Sequence, residues 1–193
     1  FRSERVRRVL LRFRGVHGVS FGDDSFLELL RKGGFDALCH HGADVTDYKS
    51  PDFDVLRAVG ANTCNLRRAL EAFGAGGGRA LVLTGSVFEG GEGAGSEGLP
   101  HFSPYGLSKA LTAQIFRYEC DRAQTPLGKF VIPNPFGPLE EPRFTSYLVK
   151  TWLRGETPTV RTPDYVRDNI HVSRVAQEYV GFVERLAAGV SGF

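Results

Sequence analysis

The chain has 193 residues, of which 41% are hydrophobic, 24% charged and 11% aromatic, and this composition excludes disordered, collagen-like and coiled-coil proteins. The 24 basic and 22 acidic residues leave a charge of +2, which gives no reason to expect a nucleic acid or an anionic membrane as partner. No apolar run reaches the roughly 18 residues of a membrane-spanning helix, so we expect a soluble, cytoplasmic protein.

The first third of the sequence predicts two strands, a helix and a third strand. Residues 6–13 and 16–21 are rich in β-branched and apolar residues, and each segment predicts a short strand. Residues 24–32 carry apolar side chains at helical spacing between an aspartate and a glycine pair, which predicts a short capped helix. Residues 35–39 are apolar enough for a buried strand.

The middle of the sequence continues this alternation. Apolar positions recur at helical intervals over residues 51–73 and predict one long helix, which the glycine-rich stretch 74–78 ends. Residues 80–84 form an almost wholly apolar strand of the kind that is covered on both faces in a parallel sheet. The same signals predict a surface loop over 89–103, a helix over 104–122 and a buried strand over 130–132.

Alternating strands and helices predict an α/β fold with a doubly wound parallel sheet, whose ligands bind at the carboxyl ends of the strands. The pattern changes after Ile132, where four prolines crowd together before helices predicted over 144–154 and 172–186. We therefore predict two domains: a nucleotide-binding domain over residues 1–132, and a smaller lobe over residues 133–193 that includes a segment returning to the first domain.

Cysteine and histidine residues give no metal-ligand pattern. Cys39, Cys64 and Cys120 are scattered without CxxC spacing, so we interpret them as reduced packing residues rather than a disulfide framework or a zinc site. His40 and His41 have no second ligand pair at metal spacing, and we interpret them as packing at a strand end. No metal site is predicted.

Candidate catalytic residues follow one of the predicted strands. Thr84 and Ser86 lie at its carboxyl end, and Tyr105 and Lys109 lie at the start of the next helix. Residues four apart share a helix face, so Tyr105 and Lys109 can point into the same crevice. A nearby ammonium lowers the pKa of a phenol from about 10 toward neutrality and makes it a general acid or base. The hydroxyl of Thr84 or Ser86 can hold the reacting oxygen.

These residues resemble the extended short-chain dehydrogenase/reductase family, specifically its NAD-dependent epimerase/dehydratase branch, and the resemblance covers nearly the whole chain. Gly22-Asp23 is similar to that family's turn after the third strand, and residues 37–43 resemble its fourth strand with the cofactor-facing HxAA end. Asn62, followed nine residues later by Glu71-Ala72, resembles the family's N…LLEAA helix. Residues 83–88 resemble the strand that carries its catalytic serine or threonine.

The resemblance implies a Rossmann-type fold, a bound NAD or NADP, and roles for individual residues. Thr84, Tyr105 and Lys109 take the catalytic roles, with Ser86 second to Thr84. The implied cofactor-binding residues are Asp23 on the adenine, Gly42 and Ala43 at the strand end, Asn62, Tyr105, Lys109 and, near the start of the chain, Arg12. In the family the start of this chain corresponds to the second strand, where an arginine accommodates the extra phosphate of NADP. Arg12 and Arg14 therefore favour NADP.

Two further segments resemble substrate-binding motifs of the family. Asn134 stands in a segment similar to its NxxGP turn, and Arg167 in one similar to its RDxxHV segment, so the resemblance implies that both contact a nucleotide-sugar substrate. A planar guanidinium suits bidentate binding of a diphosphate. The alternatives are that Asn134 only caps a proline-bounded turn, and that Arg167 pairs with Asp164 or Asp168.

Some family features are absent from this sequence. No glycine-rich GxxGxxG turn occurs near Phe1, although that turn places the pyrophosphate against a helix N-terminus. The family also continues beyond the position of Phe193, and the sequence contains no methionine. We therefore expect the first strand and helix of the Rossmann unit and the end of the substrate lobe to lie outside this sequence. Ser173-Arg174 stand where the family often has an aspartate.

The residues after Thr84 bear on the reaction. Sugar dehydratases of the family usually have Asp-Glu there, whereas this chain has Gly85-Ser86, so we expect an epimerase or a reductase rather than a dehydratase. The favoured substrate is a nucleotide sugar. The alternatives are a smaller carbonyl substrate reduced with NADPH, and a non-catalytic nicotinamide-binding regulatory protein. The resemblance also implies a homodimer through the helices predicted over 51–73 and 104–122, whose apolar faces are alternatively core.

Overall fold

Helices and parallel strands alternate in the computed structural model, which describes residues 2–92, 101, 103–141, 143–164 and 168–190. In chain order the elements are α1 (Arg2–Leu10), α2 (Asp24–Arg31), β1 (Ala37–His40), α3 (Val55–Asn62), α4 (Leu66–Ala75), β2 (Ala80–Ser86), α5 (Pro104–Arg122), β3 (Leu127–Ile132), β4 (Asn134–Phe136), α6 (Phe144–Leu153), β5 (Asn169–His171) and α7 (Val172–Ala187). Within this part of the chain, no helix is both long enough and apolar enough to cross a membrane.

The main sheet is parallel, with strand order β1–β2–β3, and helices cover both of its faces. Side chains of β2 alternate between the two faces. Leu81 and Leu83 pack with Leu70 and Phe116 of α4 and α5, whereas Ala80 and Val82 pack with α7. A strand that is buried on both faces needs a continuous apolar sequence, as 80–84 provides. The predicted doubly wound α/β fold is confirmed.

The two strands predicted before residue 22 were wrong. Residues 6–10 belong to helix α1, in which Glu4 forms ion pairs with Arg7 and Arg8 at 2.9 and 2.8 Å. Pairs at these spacings stabilise a helix, and an isolated strand here would have had no neighbour to bond. Residues 16–21 are irregular, although Phe21 packs against the core with its ring centroid 4.4 Å from that of His40.

The single helix predicted over 51–73 is two helices, α3 and α4, which are broken at Asn65. This residue has the left-handed φ of 49°, and its Nδ2 donates to the carbonyl oxygen of Gly22 at 2.8 Å. Gly22 itself has φ of 81°, and a Cβ there would lie 2.0 Å from the carbonyl oxygen of Cys64. Asparagine tolerates the left-handed conformation, so the break is fixed by a tertiary contact that periodicity alone does not reveal.

Helix α5 matches its predicted bounds, 104–122, because its start carries strong local signals. Ser103 Oγ accepts from the backbone N–H of Gly106 at 3.2 Å, and Pro104 occupies the first turn, where no N–H is needed. After β3, the strands β4 and β5 form a separate parallel pair, and α7 then packs on β2 and β3. The domain boundary at residue 132 stays a prediction.

Candidate active site

A pocket of about 590 Å³ opens at the carboxyl ends of the main-sheet strands. Six of the residues predicted for catalysis or binding line it: Ala43, Thr84, Ser86, Tyr105, Lys109 and Asn134. They come from the segment after β1, the end of β2, the first turns of α5 and the start of β4. The topology therefore brings together residues up to 91 positions apart, from Ala43 to Asn134, in the crevice where a doubly wound sheet binds its ligand.

Tyr105 is half-buried among three aromatic rings. Its ring centroid lies 5.5 Å from that of Tyr48, 6.0 Å from that of Phe53 and 6.4 Å from that of Phe88. Burial raises the pKa of the Tyr105 phenol, the charge of Glu89 adds to the rise, and Arg143 opposes it. The predicted lowering of this pKa is therefore wrong for this structure: burial removes water from the phenolate and raises the pKa, and Lys109 is not among the groups that shift it.

Lys109 lies one helical turn after Tyr105, and only 3% of it is exposed. Burial lowers the pKa of its ammonium, and the nearby positive charge of Lys129 acts in the same direction, whereas Glu89 raises it. The side chain belongs to a short polar stretch of α5 with Ser108 and Thr112, which are also buried. A buried amine in a crevice is a group whose charge depends on its neighbours, as is common at functional sites.

Glu89 is a buried carboxylate that sequence reasoning missed. It is 4% exposed, its Oε1 accepts from the backbone N–H of Ser86 at 2.7 Å, and its Oε2 lies 3.2 Å from Lys129 Nζ. Lys129 also pairs with Glu92. In the sequence Glu89 opens a glycine-rich stretch that predicts a surface loop, and no local signal marks it as buried. Its position holds the turn after β2 and adds negative charge near Tyr105.

Thr84 makes two side-chain contacts that the sequence did not predict. Its Oγ1 lies 2.8 Å from His41 Nδ1 and 3.3 Å from Tyr179 Oη, and the rings of His41 and Tyr179 lie 5.1 Å apart. Burial raises the pKa of Tyr179 to about 12. Tyr179 belongs to α7, 95 positions along the chain from Thr84, so no local pattern could have linked them.

Ser86 and Asn134 line the pocket and also hold the backbone. Ser86 Oγ accepts from the N–H of Phe88 at 3.2 Å, which closes the turn after β2. The N–H of Asn134 donates to the carbonyl oxygen of Asp168 at 3.0 Å and joins β4 to the start of β5. Arg167, predicted to bind substrate, lies outside the described residues.

The remaining residues predicted to bind cofactor do not line this pocket. Asp23 caps α2: its carboxylate accepts from the N–H groups of Ser20 and Phe26 at 2.8 and 2.6 Å, which lower its pKa. Asn62 is buried, and its Nδ2 donates to Thr112 Oγ1 at 3.2 Å. Both side chains thus have structural contacts, and their predicted roles stay predictions.

Arg12 lies in the turn that follows α1, so the premise that it stands on a strand is wrong. The argument from a strand position therefore no longer supports a role for Arg12 in binding the cofactor, and that role stays a prediction.

Gly42 directly follows β1. A Cβ on Gly42 would lie 3.0 Å from His40 Cε1, so the absence of a side chain lets the backbone pass close to the buried histidine ring.

The donors present fit a nicotinamide nucleotide. The buried ammonium of Lys109 and the phenol of Tyr105 are groups that bind hydroxyl oxygens, and the small residue Ala43 leaves space beside them in the pocket. Within the described ranges, no three histidine, cysteine, aspartate or glutamate side chains cluster as a metal-ligand set.

A family model described as "NAD dependent epimerase/dehydratase family" matches residues 3–192 of the chain. No curated protein sequence matches it significantly.

Solved structures with the same fold include sugar-nucleotide enzymes. UDP-glucuronic acid 4-epimerase from Bacillus cereus, in complex with UDP-glucuronic acid and NAD, superimposes with a TM-score of 0.69 at 21% identity, over 94% of this chain and 60% of that chain. UDP-glucose 4-epimerase from Thermotoga maritima superimposes with a TM-score of 0.65 at 17% identity, over 94% of this chain and 69% of that chain. A double mutant of the dTDP-glucose 4,6-dehydratase DesIV from Streptomyces venezuelae superimposes with a TM-score of 0.65 at 21% identity, over 96% of this chain and 58% of that chain. The chain thus spans about 60% of the length of most of these structures.

Proposed function

Because the chain belongs to the NAD-dependent epimerase/dehydratase family, we propose that it forms part of an NAD(P)-dependent epimerase or reductase that acts on a carbinol carbon, most favourably that of a nucleotide sugar. One observation carries the proposal. Thr84, Tyr105 and Lys109 line one pocket of about 590 Å³ at the carboxyl ends of a parallel sheet. Small-molecule sites have volumes of about 300–1,000 Å³.

Each of the three residues has a role in this proposal. Bound NAD or NADP would supply hydride acceptor and donor chemistry. Tyr105 takes the proton from the substrate hydroxyl during oxidation and returns it during reduction. The hydroxyl of Thr84 holds the reacting oxygen, and the ammonium of Lys109 binds the cofactor. Ser86 keeps the Thr84 turn in place and offers a second hydroxyl.

The choice of reaction rests on the residues after Thr84. A dehydratase needs acid–base groups beside the catalytic threonine to eliminate water. In this chain Gly85 and Ser86 follow Thr84, and neither has a carboxyl group. The nearby Glu89 does not supply this function, because its two oxygens bind the Ser86 N–H and Lys129. We therefore propose an epimerase or reductase. Asn134 and the pocket residue Arg143 are the proposed partners of a nucleotide-sugar substrate.

A second candidate is an NADPH-dependent reductase of a smaller carbonyl substrate. Glu140 and Glu141 line the same pocket. A diphosphate would meet the carboxylate of Glu141 in this space as well as the cations of Lys109 and Arg143, whereas an uncharged carbonyl compound needs no excess of positive charge. The two candidates differ in their products: an epimerase leaves the cofactor unchanged overall, and a reductase consumes NADPH in proportion to substrate.

The test uses the full-length gene product with NAD and NADP and a panel of UDP-, GDP- and dTDP-sugars. Absorbance of the reduced nicotinamide and product analysis are compared with those of the variants Tyr105→Phe and Tyr118→Phe. Tyr118 lies on the same helix but is 65% exposed, which makes it a matched control. We expect the first substitution to lower kcat by about 10²–10⁴-fold, as for loss of a general acid–base, and the second to leave it unchanged.

Other outcomes separate the alternatives. Cofactor binding without turnover of any sugar, and with NADPH oxidation by simple carbonyl compounds, would favour the reductase. Cofactor binding without any turnover, identical in wild type and Tyr105→Phe, would instead identify a non-catalytic nicotinamide-binding regulator. The preference for NAD or NADP, the cytoplasmic location and the homodimer stay predictions.

A further inference from the structure

The Thr84 hydroxyl has a close neighbour that the family motifs do not assign. His41 Nδ1 lies 2.8 Å from Thr84 Oγ1, whereas Tyr179 Oη lies 3.3 Å away. His41 follows β1 directly, and both His41 and Thr84 line the candidate active-site pocket. The shorter contact is in the normal range for a hydrogen bond, so His41 controls how the hydroxyl is oriented.

The direction of this hydrogen bond decides where the single proton of the Thr84 hydroxyl points. A threonine hydroxyl has one proton to donate and two lone pairs, and a neutral imidazole has one nitrogen that donates and one that accepts. If His41 Nδ1 accepted, the only proton of Thr84 would point away from the substrate. If Nδ1–H donates, the Thr84 proton is free for the reacting oxygen. A donor is what the reaction needs, because negative charge develops on that oxygen as its proton leaves.

Tyr179 is the more distant of the two groups that can donate to Thr84 Oγ1. Its Oη lies 3.3 Å away, and either oxygen can be the donor in that contact, whereas His41 Nδ1 lies 2.8 Å away. Among the contacts in the described residues, His41 is therefore the nearer donor to Thr84 Oγ1.

We propose that His41 is a positioning residue for the reaction: its Nδ1–H donates to Thr84 Oγ1, so that the Thr84 hydroxyl donates to the reacting substrate oxygen. This inference rests on the function proposed above and deepens it. A chain of two hydrogen bonds in one direction also strengthens each of them.

The charged groups around His41 are consistent with a neutral ring. Its pKa is lowered by partial desolvation and then by the positive charge of Lys109 on α5. His40 is its neighbour on β1, and Tyr179 faces it from α7. A neutral ring carries one proton, and the proposal places that proton on Nδ1.

The first test is spectroscopic and needs no substrate. The full-length protein is labelled with ¹⁵N-histidine, and the signals of His41 are assigned with the variant His41→Asn. We expect the neutral ring to carry its proton on Nδ1, and Thr84→Val to shift the Nδ1 resonance. A proton on Nε2, with Nδ1 as acceptor, would overturn the proposal.

The second test measures steady-state kinetics on the substrate found in the panel. Thr84→Val should lower kcat by about 100-fold, as for loss of one donor to a developing oxyanion. His41→Phe keeps a ring against Tyr179 but has no donor, and should lower kcat by about 10-fold with little change in KM. His41→Asn restores an N–H donor and should recover kcat to within about threefold of wild type.

A double-mutant cycle separates positioning from a structural role. If His41 acts through Thr84, His41→Phe has no further effect on kcat in the Thr84→Val background. Equal losses in both backgrounds, or no recovery in His41→Asn, would overturn the positioning role while Tyr105-dependent turnover persists in wild type. Absence of turnover in wild type would instead overturn the proposed function, and the positioning role with it.

Discussion

At the scale of single residues, burial and a neighbouring carboxylate act in the same direction on the pKa of Tyr105. Its phenol is surrounded by three aromatic rings, and burial raises its pKa, as does the negative charge of Glu89. Glu89 is itself fixed by the Ser86 N–H and by Lys129. In the proposed reaction the phenolate is the base during oxidation, so Glu89 moves the working range of the enzyme to higher pH.

Replacing Glu89 by glutamine tests this electrostatic effect. Without the negative charge, the phenolate of Tyr105 is less disfavoured, and its pKa falls. During substrate oxidation kcat should rise with pH as Tyr105 loses its proton. We expect this rise to occur at lower pH in Glu89→Gln than in wild type. The measurement is the pH–rate profile, together with the phenolate absorbance change that Tyr105→Phe removes.

The matched control is Glu92→Gln. Glu92 pairs with the same Lys129, but only Glu89 is among the groups that raise the pKa of Tyr105. We expect Glu92→Gln to leave the pH–rate profile in place. Equal shifts in both variants would trace the effect to Lys129 instead of to the Glu89 charge.

The burial of His40 makes the stability of the fold depend on pH. Its ring is 4% exposed, lies between Phe21 and Phe116, and burial lowers its pKa to about 4, with Lys109 adding to the effect. The unfolded chain binds a proton near pH 6.5, whereas the folded chain does so only near 4. The free energy of unfolding should therefore fall by about 3 kcal/mol as the pH drops through this window.

The non-titrating variant His40→Leu should lose less of its unfolding free energy between pH 7 and pH 4 than wild type does. Urea denaturation at a series of pH values measures the difference. His17→Gln, at an exposed position, serves as the control and should follow wild type. Parallel curves for wild type and His40→Leu would show that His40 does not lose its proton affinity on folding.

At the scale of elements, the start of α5 is fixed against the turn that follows β2. Gly106 directly follows Tyr105, and a Cβ on Gly106 would lie 1.9 Å from the carbonyl oxygen of Phe88. This close approach lets the helix place Tyr105 and Lys109 beside the end of β2. Glycine is needed here for space, because no positive φ is involved.

Substituting Gly106 by alanine should destabilise the protein by about 3 kcal/mol, since backbone must move to make room. Gly74→Ala on α4 is the matched control: its Cβ meets nothing within 4 Å, and removing a helical glycine should stabilise by about 0.5–1 kcal/mol. Denaturant unfolding of the full-length protein measures both changes. An unchanged unfolding midpoint for Gly106→Ala would mean that the start of α5 can move away from Phe88 without loss of stability.

At the scale of the whole molecule, apolar side chains remain exposed on two helices that pack together. Leu56 on α3 is 79% exposed, and Tyr118 and Ile115 on α5 are 65% and 37% exposed. Helices α3 and α5 contact one another, so these side chains belong to one helical layer, of which α5 packs on the sheet. The predicted homodimer would cover this layer with that of a second copy.

The full-length protein should therefore behave as a dimer in size-exclusion chromatography with light scattering. The double variant Leu56→Glu/Tyr118→Glu should shift it to a monomer, because burying two charges without partners is costly. Val180→Glu, an exposed position on α7, should leave the dimer intact. A wild-type monomer at all concentrations would contradict the dimer.

Local signals in the sequence determined several of the elements and part of the pocket. The apolar run 80–84, the Ser103-Pro104 start of α5 and the Tyr105/Lys109 spacing each depend on near neighbours, so the parallel sheet, the long helix and four lining residues were predictable. Two more lining residues, Ala43 and Asn134, were implied only by the family resemblance. Segment 6–13 was assigned wrongly because its mixture of arginine and apolar residues fits either a strand or a helix when no packing partner is known.

Only the tertiary structure decided what depends on distant contacts. The break at Asn65 follows from its bond to Gly22, the burial of Glu89 from its pairing with Lys129, and the environment of Thr84 from His41 and Tyr179. Sequence periodicity reports which face of an element is apolar, but it carries no information on which side chains of other elements will meet there. The sign of the Tyr105 pKa shift was missed for the same reason.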